Sequence, residues 1–265
     1  MQRMKKSNRD PATINLRMIK NREETNSCTT RNCCVELWGG EEIFCSIRDL
    51  TKFELIYKKN ESIYKMDDQA TSLYIIQSGA IKLEKDIKDG SKHVSGFYFT
   101  GDIIGLESLG VEQYSYNAIA LKETWVCEIR THKLATLDKS ATTILQKINT
   151  LLSRNLCEVD EHLYSTRHLY TEQRLLCFLN TLCKKNLEPV NDSSTQFILP
   201  MSKSDIANYL GMRPESLSRA FRKFEDLDII KNIQKMRNTV IDKQQLLKLF
   251  EIFGKGKSTA SDNCL

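Results

Sequence analysis

Between residues 53 and 129, apolar and polar positions alternate in short runs that are separated by turn-forming residues. The runs are FELIYK, SIYKM, SLYIIQ, AIKLEK, HVSGFYF, YNAIALK and TWVCEI. Alternation with a period of two is typical of strands that bury one face, and Asp89-Gly90 between two of the runs is a hairpin signal. The pattern therefore predicts an antiparallel sheet or barrel.

The hydrophobic period then changes to three and four, which is the period of a helix. One apolar stripe is formed by Leu145, Ile148, Leu152, Leu156, Val159 and Leu163. The stripe lies on a helix of about seven turns, which is more than one small domain needs. Such a helix can pair with a copy of itself or pack against the preceding sheet, and the periodicity alone leaves both open.

The stretch from Leu199 to Ile230 predicts two short helices with a tight turn between them. Ser202 can cap the first helix, with Asp205 three residues on. Gly211 suits the left-handed conformation of a sharp turn, and Pro214 suits the first turn of the second helix. This is the pattern of a helix-turn-helix.

On the second helix, Glu215, Ser218 and Arg219 share one polar face at i, i+3 and i+4. In a DNA major groove a guanidinium can pair with guanine, a carboxylate can accept from cytosine, and a hydroxyl serves base or phosphate. The other predicted DNA contacts are Arg213, Ser216 and Arg222, together with Lys235 and Arg237 in a two-stranded wing. The alternative is an amphipathic helical hairpin whose charges are only solvated.

Composition and charge agree with a soluble DNA-binding protein. The 265 residues are 40% hydrophobic and 28% charged, with a formal net charge of +5. Residues 201–257 contain 12 Lys and Arg against 7 Asp and Glu, so the basic excess lies at the helix-turn-helix end. We expect a cytoplasmic protein without membrane contact, because no apolar run reaches the roughly 20 residues of a span. No catalytic motif is found, and we predict that the chain is not an enzyme.

Four cysteines lie close together near the N-terminus: Cys28, Cys33, Cys34 and Cys45. In a reducing compartment such a cluster favours metal or redox chemistry over disulfides. A metal or redox protein whose C-terminal helices only mediate protein contacts is therefore the alternative from a different class.

The segment LPMSKSDIANYLGMRPESLSRAFRKF resembles the DNA-binding helices of the CRP/FNR family of bacterial transcription regulators, with its E-x-x-S-R motif at Glu215, Ser218 and Arg219. The resemblance is greatest to the oxygen-responsive fumarate-nitrate branch. It implies an α+β fold with a cyclic-nucleotide-binding-like β-roll, a long dimerisation helix that uses the apolar stripe, and a winged helix-turn-helix. The implied boundaries are a basic tail at 1–27, the roll at 28–138, the dimerisation helix at 139–167, the DNA-binding domain at 168–254 and a tail at 255–265.

The resemblance also implies partners and a cofactor. The partners are a second copy of the chain, RNA polymerase, and double-stranded DNA with an inverted repeat of TTGAT-like half-sites. In the oxygen-responsive branch, four cysteines hold a [4Fe-4S] cluster. Cys28, Cys34 and Cys127 match that pattern, Thr25 stands where its first cysteine is expected, and Cys45 or Cys33 would supply the fourth ligand. The alternatives are a degenerate site, a thiol switch or another small signal, or constitutive activity.

Family members that bind cyclic nucleotides use a glutamate for the ribose and an Arg-Ser pair for the phosphate. Glu107 could serve as the glutamate, but the residues at 113–116 are Gln, Tyr, Ser and Tyr. A phosphate without a bidentate cation loses its strongest partner. We therefore expect no cyclic nucleotide, and no metal role for His93 or His132.

Overall fold

The computed structural model describes residues 51–87, 90–134, 141–185, 195–233 and 238–254. The two predicted tails lie outside these residues, as do the upstream Cys28, Cys33, Cys34 and Cys45 and the wing residues Lys235 and Arg237. No helix in the described part of the chain is long and apolar enough to cross a bilayer.

The N-terminal half is a β-roll of two four-stranded antiparallel sheets. Its strands are β1 (Thr51–Tyr57), β2 (Ser62–Tyr64), β3 (Ser72–Ser78), β4 (Ala80–Asp86), β5 (Lys92–Phe99), β6 (Ile103–Ile104), β7 (Asn117–Ala120) and β8 (Thr124–Arg130). One sheet has the order β1-β8-β3-β6, and the other has the order β2-β7-β4-β5. A 3-10 helix, Leu106–Ser108, follows β6.

Strand β3 shows why one of the predicted runs is more apolar than simple alternation requires. Every position from Ser72 to Gln77 is buried. Tyr74 and Ile76 face the roll interior, while Leu73 and Ile75 pack in a second cluster against the helix that follows the roll. Both faces of this strand are therefore covered, which favours a continuous apolar run.

After a short helix α1 (Thr131–Leu134), the long helix α2 (Ala141–His168) extends over 28 residues. Its apolar stripe is divided between two environments. Ile148 is 5% exposed in a cluster with β-roll residues, and Leu152 packs against the same cluster. The rest of the stripe is exposed: Leu145, Leu156, Val159 and Leu163. The first half of α2 thus packs on its own roll, whereas most of the second half presents an uncovered apolar face.

The C-terminal domain begins two residues after α2. Its elements are α3 (Thr171–Cys183), β9 (Gln196–Leu199), α4 (Lys203–Tyr209), α5 (Pro214–Asp226), β10 (Ile230–Ile233), β11 (Asn238–Asp242) and α6 (Lys243–Gly254). The three strands form one sheet in the order β10-β11-β9. Leu175 and Leu179 of α3, Ile206 of α4 and Phe221 and Phe224 of α5 are buried in one core. The α+β class and the helix-turn-helix domain predicted from the sequence are confirmed.

Candidate nucleic-acid interface and sensory core

The helix-turn-helix has the local geometry that its sequence predicts. Ser202 caps α4, its hydroxyl accepting from the Asp205 amide at 3.0 Å while Asp205 bonds back to the cap in a capping box. Gly211 has φ of 62° in the turn, a conformation that costs a side chain more than it costs glycine. Pro214 begins α5, where its missing N–H leaves no bond unmade. Helix α5 is therefore fixed relative to α4 by a turn of four residues, 210–213.

Helix α5 presents the predicted reading face to solvent. Glu215, Ser218 and Arg219 are all exposed, as are Arg213 and Arg222, and Ser216 is half-buried. Arg219 donates a hydrogen bond to the Ser216 hydroxyl at 3.4 Å, and Arg213 is the N-cap residue of the helix. An uncovered guanidinium, carboxylate and hydroxyl near a helix N-terminus can reach base edges in a major groove.

Contacts on the other side of α5 hold this face in place. Leu217, Phe221 and Phe224 lie in the domain core, and Lys223 forms an ion pair with Glu172 of α3. The ammonium of Lys203 lies 4.7 Å above the ring of Phe221. Strands β10 and β11 form the predicted wing hairpin, and its tip, with Lys235 and Arg237, lies outside the described residues.

The roll interior contains the buried rings of Tyr64, Tyr74 and Tyr114 among aliphatic side chains. Tyr114 is 3% exposed and stacks on Tyr64 with ring centroids 3.8 Å apart, and its hydroxyl donates to the Ser72 carbonyl at 2.6 Å. Burial raises the pKa of Tyr114 to about 12, so its hydroxyl remains a donor. Tyr64 in turn donates to Glu107 at 3.0 Å. The carboxylate predicted for a ribose is thus already hydrogen-bonded to the protein.

Cys127 of β8 is buried, at 5% exposure, in the cluster that contains Ile148 of α2. The side-chain amide of Gln77 donates a hydrogen bond to its sulfur. Among the described residues, no group of three or more His, Cys, Asp or Glu is arranged to hold a metal ion. The other four cysteines predicted as ligands lie outside those residues, so the predicted ligand set cannot be assembled from the described part of the chain alone.

The structure also brings together residues that the sequence did not single out as a set. An ion pair joins the roll to the helix-turn-helix, with Lys82 Nζ 2.7 Å from Asp205 Oδ1. The same ammonium is 2.8 Å from Glu84, whose buried carboxylate also pairs with Lys92. Burial opposes the charge on Asp205 and on Lys82, but the hydrogen bonds between them outweigh it, lowering the pKa of Asp205 and raising that of Lys82.

Asn208, on the same side of α4, binds the edge of β5. Its side-chain oxygen accepts from the Val94 amide at 2.7 Å, and its side-chain nitrogen donates to the Lys92 carbonyl. Strand β5 is the last in its sheet, so this edge has no neighbouring strand. The side-chain amide of Asn208 therefore forms the hydrogen bonds that a residue of a neighbouring strand would form with this edge.

Tyr209, the next residue, enters a cluster of rings from three other elements. It stacks on His162 of α2 with ring centroids 4.2 Å apart, and its ring lies 5.3 Å from Phe97 of β5 and 5.5 Å from Phe178 of α3. Burial lowers the pKa of His162 below its ordinary value. We call the contacts that Asp205, Asn208 and Tyr209 make with strands β4 and β5 the clasp.

A further ion-pair group lies beside the clasp. Lys185, after α3, bonds Asp102 of the roll at 3.3 Å and Glu158 of α2 at 3.2 Å. Burial opposes the charge on Lys185, but the two carboxylates outweigh it and raise its pKa. A cavity of about 520 Å³ between β5, α2 and α4 is bordered by these groups and by Arg154. Asp205, Asn208 and Tyr209 recur at i, i+3 and i+4, so a second functional face of α4 could have been found by periodicity.

The comparisons with known proteins agree with this architecture, in which a cyclic-nucleotide-binding-like roll is joined to a DNA-binding domain. The family described as "Cyclic nucleotide-binding domain" matches residues 54–140, and the family described as "Crp-like helix-turn-helix domain" matches residues 173–249. The class is therefore that of a DNA-binding transcription regulator with a cyclic-nucleotide-binding-like roll. The chain belongs to the CRP/FNR family, a family of transcription regulators and not of enzymes.

Two curated relatives and one solved structure illustrate the similarity. The chain is 28% identical over 198 residues to the transcriptional regulatory protein btr of Bordetella pertussis. This match covers 75% of the chain and 81% of btr. It is 26% identical over 230 residues to the fumarate and nitrate reduction regulatory protein of Vibrio cholerae, and the match covers 87% of this chain and 91% of that protein. FixK2 from Bradyrhizobium japonicum has a similar structure, with a TM-score of 0.63 and 26% sequence identity. The structural match covers 74% of this chain and 96% of FixK2.

Proposed function

We propose that this regulator acts as a homodimer on an inverted repeat of TTGAT-like half-sites, and that its input is the redox state of a [4Fe-4S] cluster held by cysteines. The observation that carries the DNA part is the exposed trio of Glu215, Ser218 and Arg219 at the N-terminal half of α5. Contact of the bound dimer with RNA polymerase is part of the same proposal and rests on the family resemblance.

The uncovered part of α2 supports the dimer. Leu156 is 71% exposed, Val159 56% and Leu163 45%, along one side of a helix whose first half packs on the roll. Exposed apolar side chains in a row at helical spacing are typical of a helix that pairs with another helix. The seam is therefore assigned to Leu145, Leu156, Val159 and Leu163, while Ile148 and Leu152 contribute by fixing α2 to the roll.

Sedimentation tests the seam. Leu156→Glu places a carboxylate in the proposed interface, where its desolvation is costly, and should shift the chain from dimer to monomer. Glu161→Gln, a change at an exposed residue of the same helix, is the matched control and should leave the dimer intact. A Leu156→Glu chain that sediments as a dimer would contradict this interface.

Binding to DNA is tested with a duplex that carries the inverted repeat and a scrambled duplex of the same length and composition. Both are titrated at one fixed salt concentration, because phosphate contacts make all affinities salt-dependent. We expect the repeat to bind at least about a thousandfold more tightly than the scrambled duplex. Equal binding to the two would contradict sequence-specific recognition.

Two observations support a cluster at Cys127. Its buried sulfur accepts a hydrogen bond from Gln77, and such bonds are among those that tune thiolate-held clusters. Strand β1 pairs with β8 so that Thr51 lies opposite Ile129, which is two residues from Cys127 along β8. Cys45 precedes Thr51 by six residues. Six extended residues span at most about 20 Å. Cys45 is therefore within reach of Cys127, with Cys28, Cys34 and Cys33 as the other candidates.

A bound cluster would supply an oxidant-sensitive group, and the residues around Cys127 would carry its effect. Cys127 packs in the same cluster as Ile148, near the start of the described part of α2. A change of ligation at Cys127 would therefore act on the helix that carries the proposed seam. The burial of Cys127 favours the second candidate, in which this residue only packs and the signal is a different one.

Anaerobic purification followed by an absorption spectrum and iron and sulfide analysis decides between these candidates. We expect a coloured protein that loses its iron and its DNA affinity together in air, and a colourless Cys127→Ser variant. Cys177→Ser is the matched control, because burial raises the pKa of that thiol and leaves it protonated. Iron-free protein whose DNA affinity is equal before and after exposure to air would contradict the cluster.

The roll interior supports the proposal that no cyclic nucleotide binds. Tyr114 fills the centre of the roll, and Glu107 is hydrogen-bonded to Tyr64. The residues at 113–116 contain no cation for a phosphate. Calorimetric titration with cyclic AMP should show no heat of binding.

A further inference from the structure

We propose that Asn208 and Phe97 are positioning residues for DNA reading, because the clasp holds the reading helix α5 at the orientation that two half-sites require. This inference rests on the proposed binding to an inverted repeat and adds a residue set that does not contact DNA. The clasp is a second attachment between the DNA-binding domain and the roll, separate from the covalent one.

The covalent attachment is a connection of two residues, Leu169 and Tyr170. Helix α2 ends at His168 and α3 begins at Thr171. Tyr170 between them is 79% exposed, and the packing between α2 and α3 is sparse. A single connection of this kind fixes the position of a domain without fixing its orientation, which requires further points of contact.

The clasp supplies such contacts with matched chemistry. Asn208 satisfies both an amide and a carbonyl on the open edge of β5, groups that otherwise require water. The Phe97 ring packs on Tyr209 and Phe178, two residues of the DNA-binding domain. Phe99 of the roll belongs to the same buried cluster as Leu210 and Phe221, so the apolar core is continuous across the junction.

The clasp uses the side of the domain that DNA reading leaves free. It is formed by α4, whereas the reading trio lies on α5 and remains exposed while the clasp is closed. Closure therefore covers none of the proposed base contacts. The clasped arrangement is therefore compatible with DNA reading.

Orientation matters because the DNA site is double. In a two-fold dimer the reading helices must enter successive major grooves about 34 Å apart. A domain that rotates about the short connection can still read one half-site, but it loses the fixed separation needed for two. The clasp should thus contribute to the binding of the full repeat and not to that of one half-site.

The test compares duplexes with two half-sites and with one. The wild-type preference for the inverted repeat over the scrambled duplex is measured first, so that failure of the proposed function would appear there. Asn208→Ala and Phe97→Ala should then each weaken binding to the full repeat by about tenfold, as expected for the loss of one or two net contacts. Binding to the single half-site should change by less than about twofold.

Spacing gives a readout that a purely structural role would not move. Wild type should prefer half-sites one helical turn apart, and both variants should tolerate spacers longer or shorter by two base pairs. Hydrogen exchange of the β5 edge should be faster in Asn208→Ala without DNA, because the Val94 amide loses its acceptor. Ser204→Ala on α4 and Lys85→Ala on β4, both exposed positions, are the matched controls and should behave as wild type.

Three results would overturn the inference. The first is unchanged binding to the full repeat in Phe97→Ala. The second is an equal loss on the single half-site and the full repeat in both variants, which would indicate damage to the reading domain itself. The third is tighter binding in either variant, which would make the clasp inhibitory.

Discussion

The DNA-binding domain and the β-roll place their candidate residues in opposite environments. Glu215, Ser218 and Arg219 lie within five positions of one another on the solvent-exposed face of α5, opposite its buried side. In the roll, Tyr114 bonds a backbone 42 residues away, and Cys127 bonds a side chain 50 residues away, both in the buried interior. A change at the exposed trio can therefore alter affinity alone, whereas a change at these buried roll residues must alter stability as well.

The largest effect expected from this contrast is at Gly79, between β3 and β4. Its φ is 115°, and an added Cβ would lie 2.6 Å from the Cα of Thr124. The neighbouring backbone must move, so Gly79→Ala should lower the free energy of unfolding by more than about 4 kcal/mol. Thermal unfolding measures this, and Gly90→Ala, where a Cβ meets nothing within 4 Å, is the control with a positive φ. Similar melting temperatures for the two variants would show that Gly79 is not tightly packed against Thr124.

The next effect lies in the reader and should leave stability unchanged. Arg219→Ala removes the guanidinium proposed to pair with guanine and should cost about 1 to 3 kcal/mol of binding to the inverted repeat. The melting temperature should stay at the wild-type value, because the side chain is exposed. Lys248→Ala on α6 is the control, which tests whether the loss of any positive charge weakens binding to the inverted repeat to the same extent. An Arg219→Ala chain that prefers the repeat to the wild-type degree would show that this residue does not read sequence.

Gly211 sharpens the comparison, because it is the counterpart of Gly79 in the reader. A Cβ there would meet only Thr166 Cγ2, at 3.5 Å, so the cost of Gly211→Ala comes from its φ of 62° alone. We expect a loss of about 1 kcal/mol of stability in the DNA-binding domain, well below that at Gly79. Asn at this position should cost less than Ala, because Asn tolerates the left-handed region. Equal effects of the two substitutions, in chemical denaturation, would argue that something other than backbone conformation limits this turn.

The smallest effect concerns pH at the junction of the two regions. Burial beside the clasp lowers the pKa of His162, whose ring stacks on Tyr209 of α4. His93 of β5 and Arg174 of α3 also disfavour its proton, and together these effects outweigh a hydrogen bond with the Tyr209 backbone. With the clasp open, the ring would titrate near its ordinary value of about 6.5. As the pH falls below that value, the open state binds a proton more readily than the clasped state, so the clasp weakens.

Binding to the inverted repeat should accordingly fall by up to about fivefold between pH 7.5 and pH 5.8, beyond the change seen with the single half-site. His162→Gln should remove the excess, and His168→Gln, at the end of α2, should keep it. An identical pH dependence in all three chains would assign the titration to other groups.

The extent to which the sequence predicted this molecule depends on how local each signal is. The capping box at Ser202 and the turn at Gly211 need only nearby residues, and both were predicted. The seven predicted strands follow from short apolar-rich runs bounded by turn residues, whereas β6 has two residues, Ile103 and Ile104, and shows no period. The division of the α2 stripe was not predictable, because it depends on where the roll ends against the helix.

The clasp was missed for a related reason. Lys82 and Asp205 are 123 residues apart, and each has a satisfactory local interpretation, as a strand lysine and as a capping carboxylate. Only the docking of two domains makes them partners. For Cys28, Cys33, Cys34, Cys45, Lys235 and Arg237, which lie outside the described residues, the sequence remains the basis of the predictions.

The two-residue connection between α2 and α3 lies at one end of α3, so a small rotation there displaces the other end of the helix by a larger distance. Helix α3 has 13 residues and is thus about 20 Å long, and α5 shares a buried core with it, so the two helices move together. A rotation of about 10° at Tyr170 would move the far end of α3 by about 3.5 Å, close to the 3.4 Å that separates adjacent base pairs. A movement too small to disturb the fold of either domain could therefore shift the reading helix from one base pair to the next.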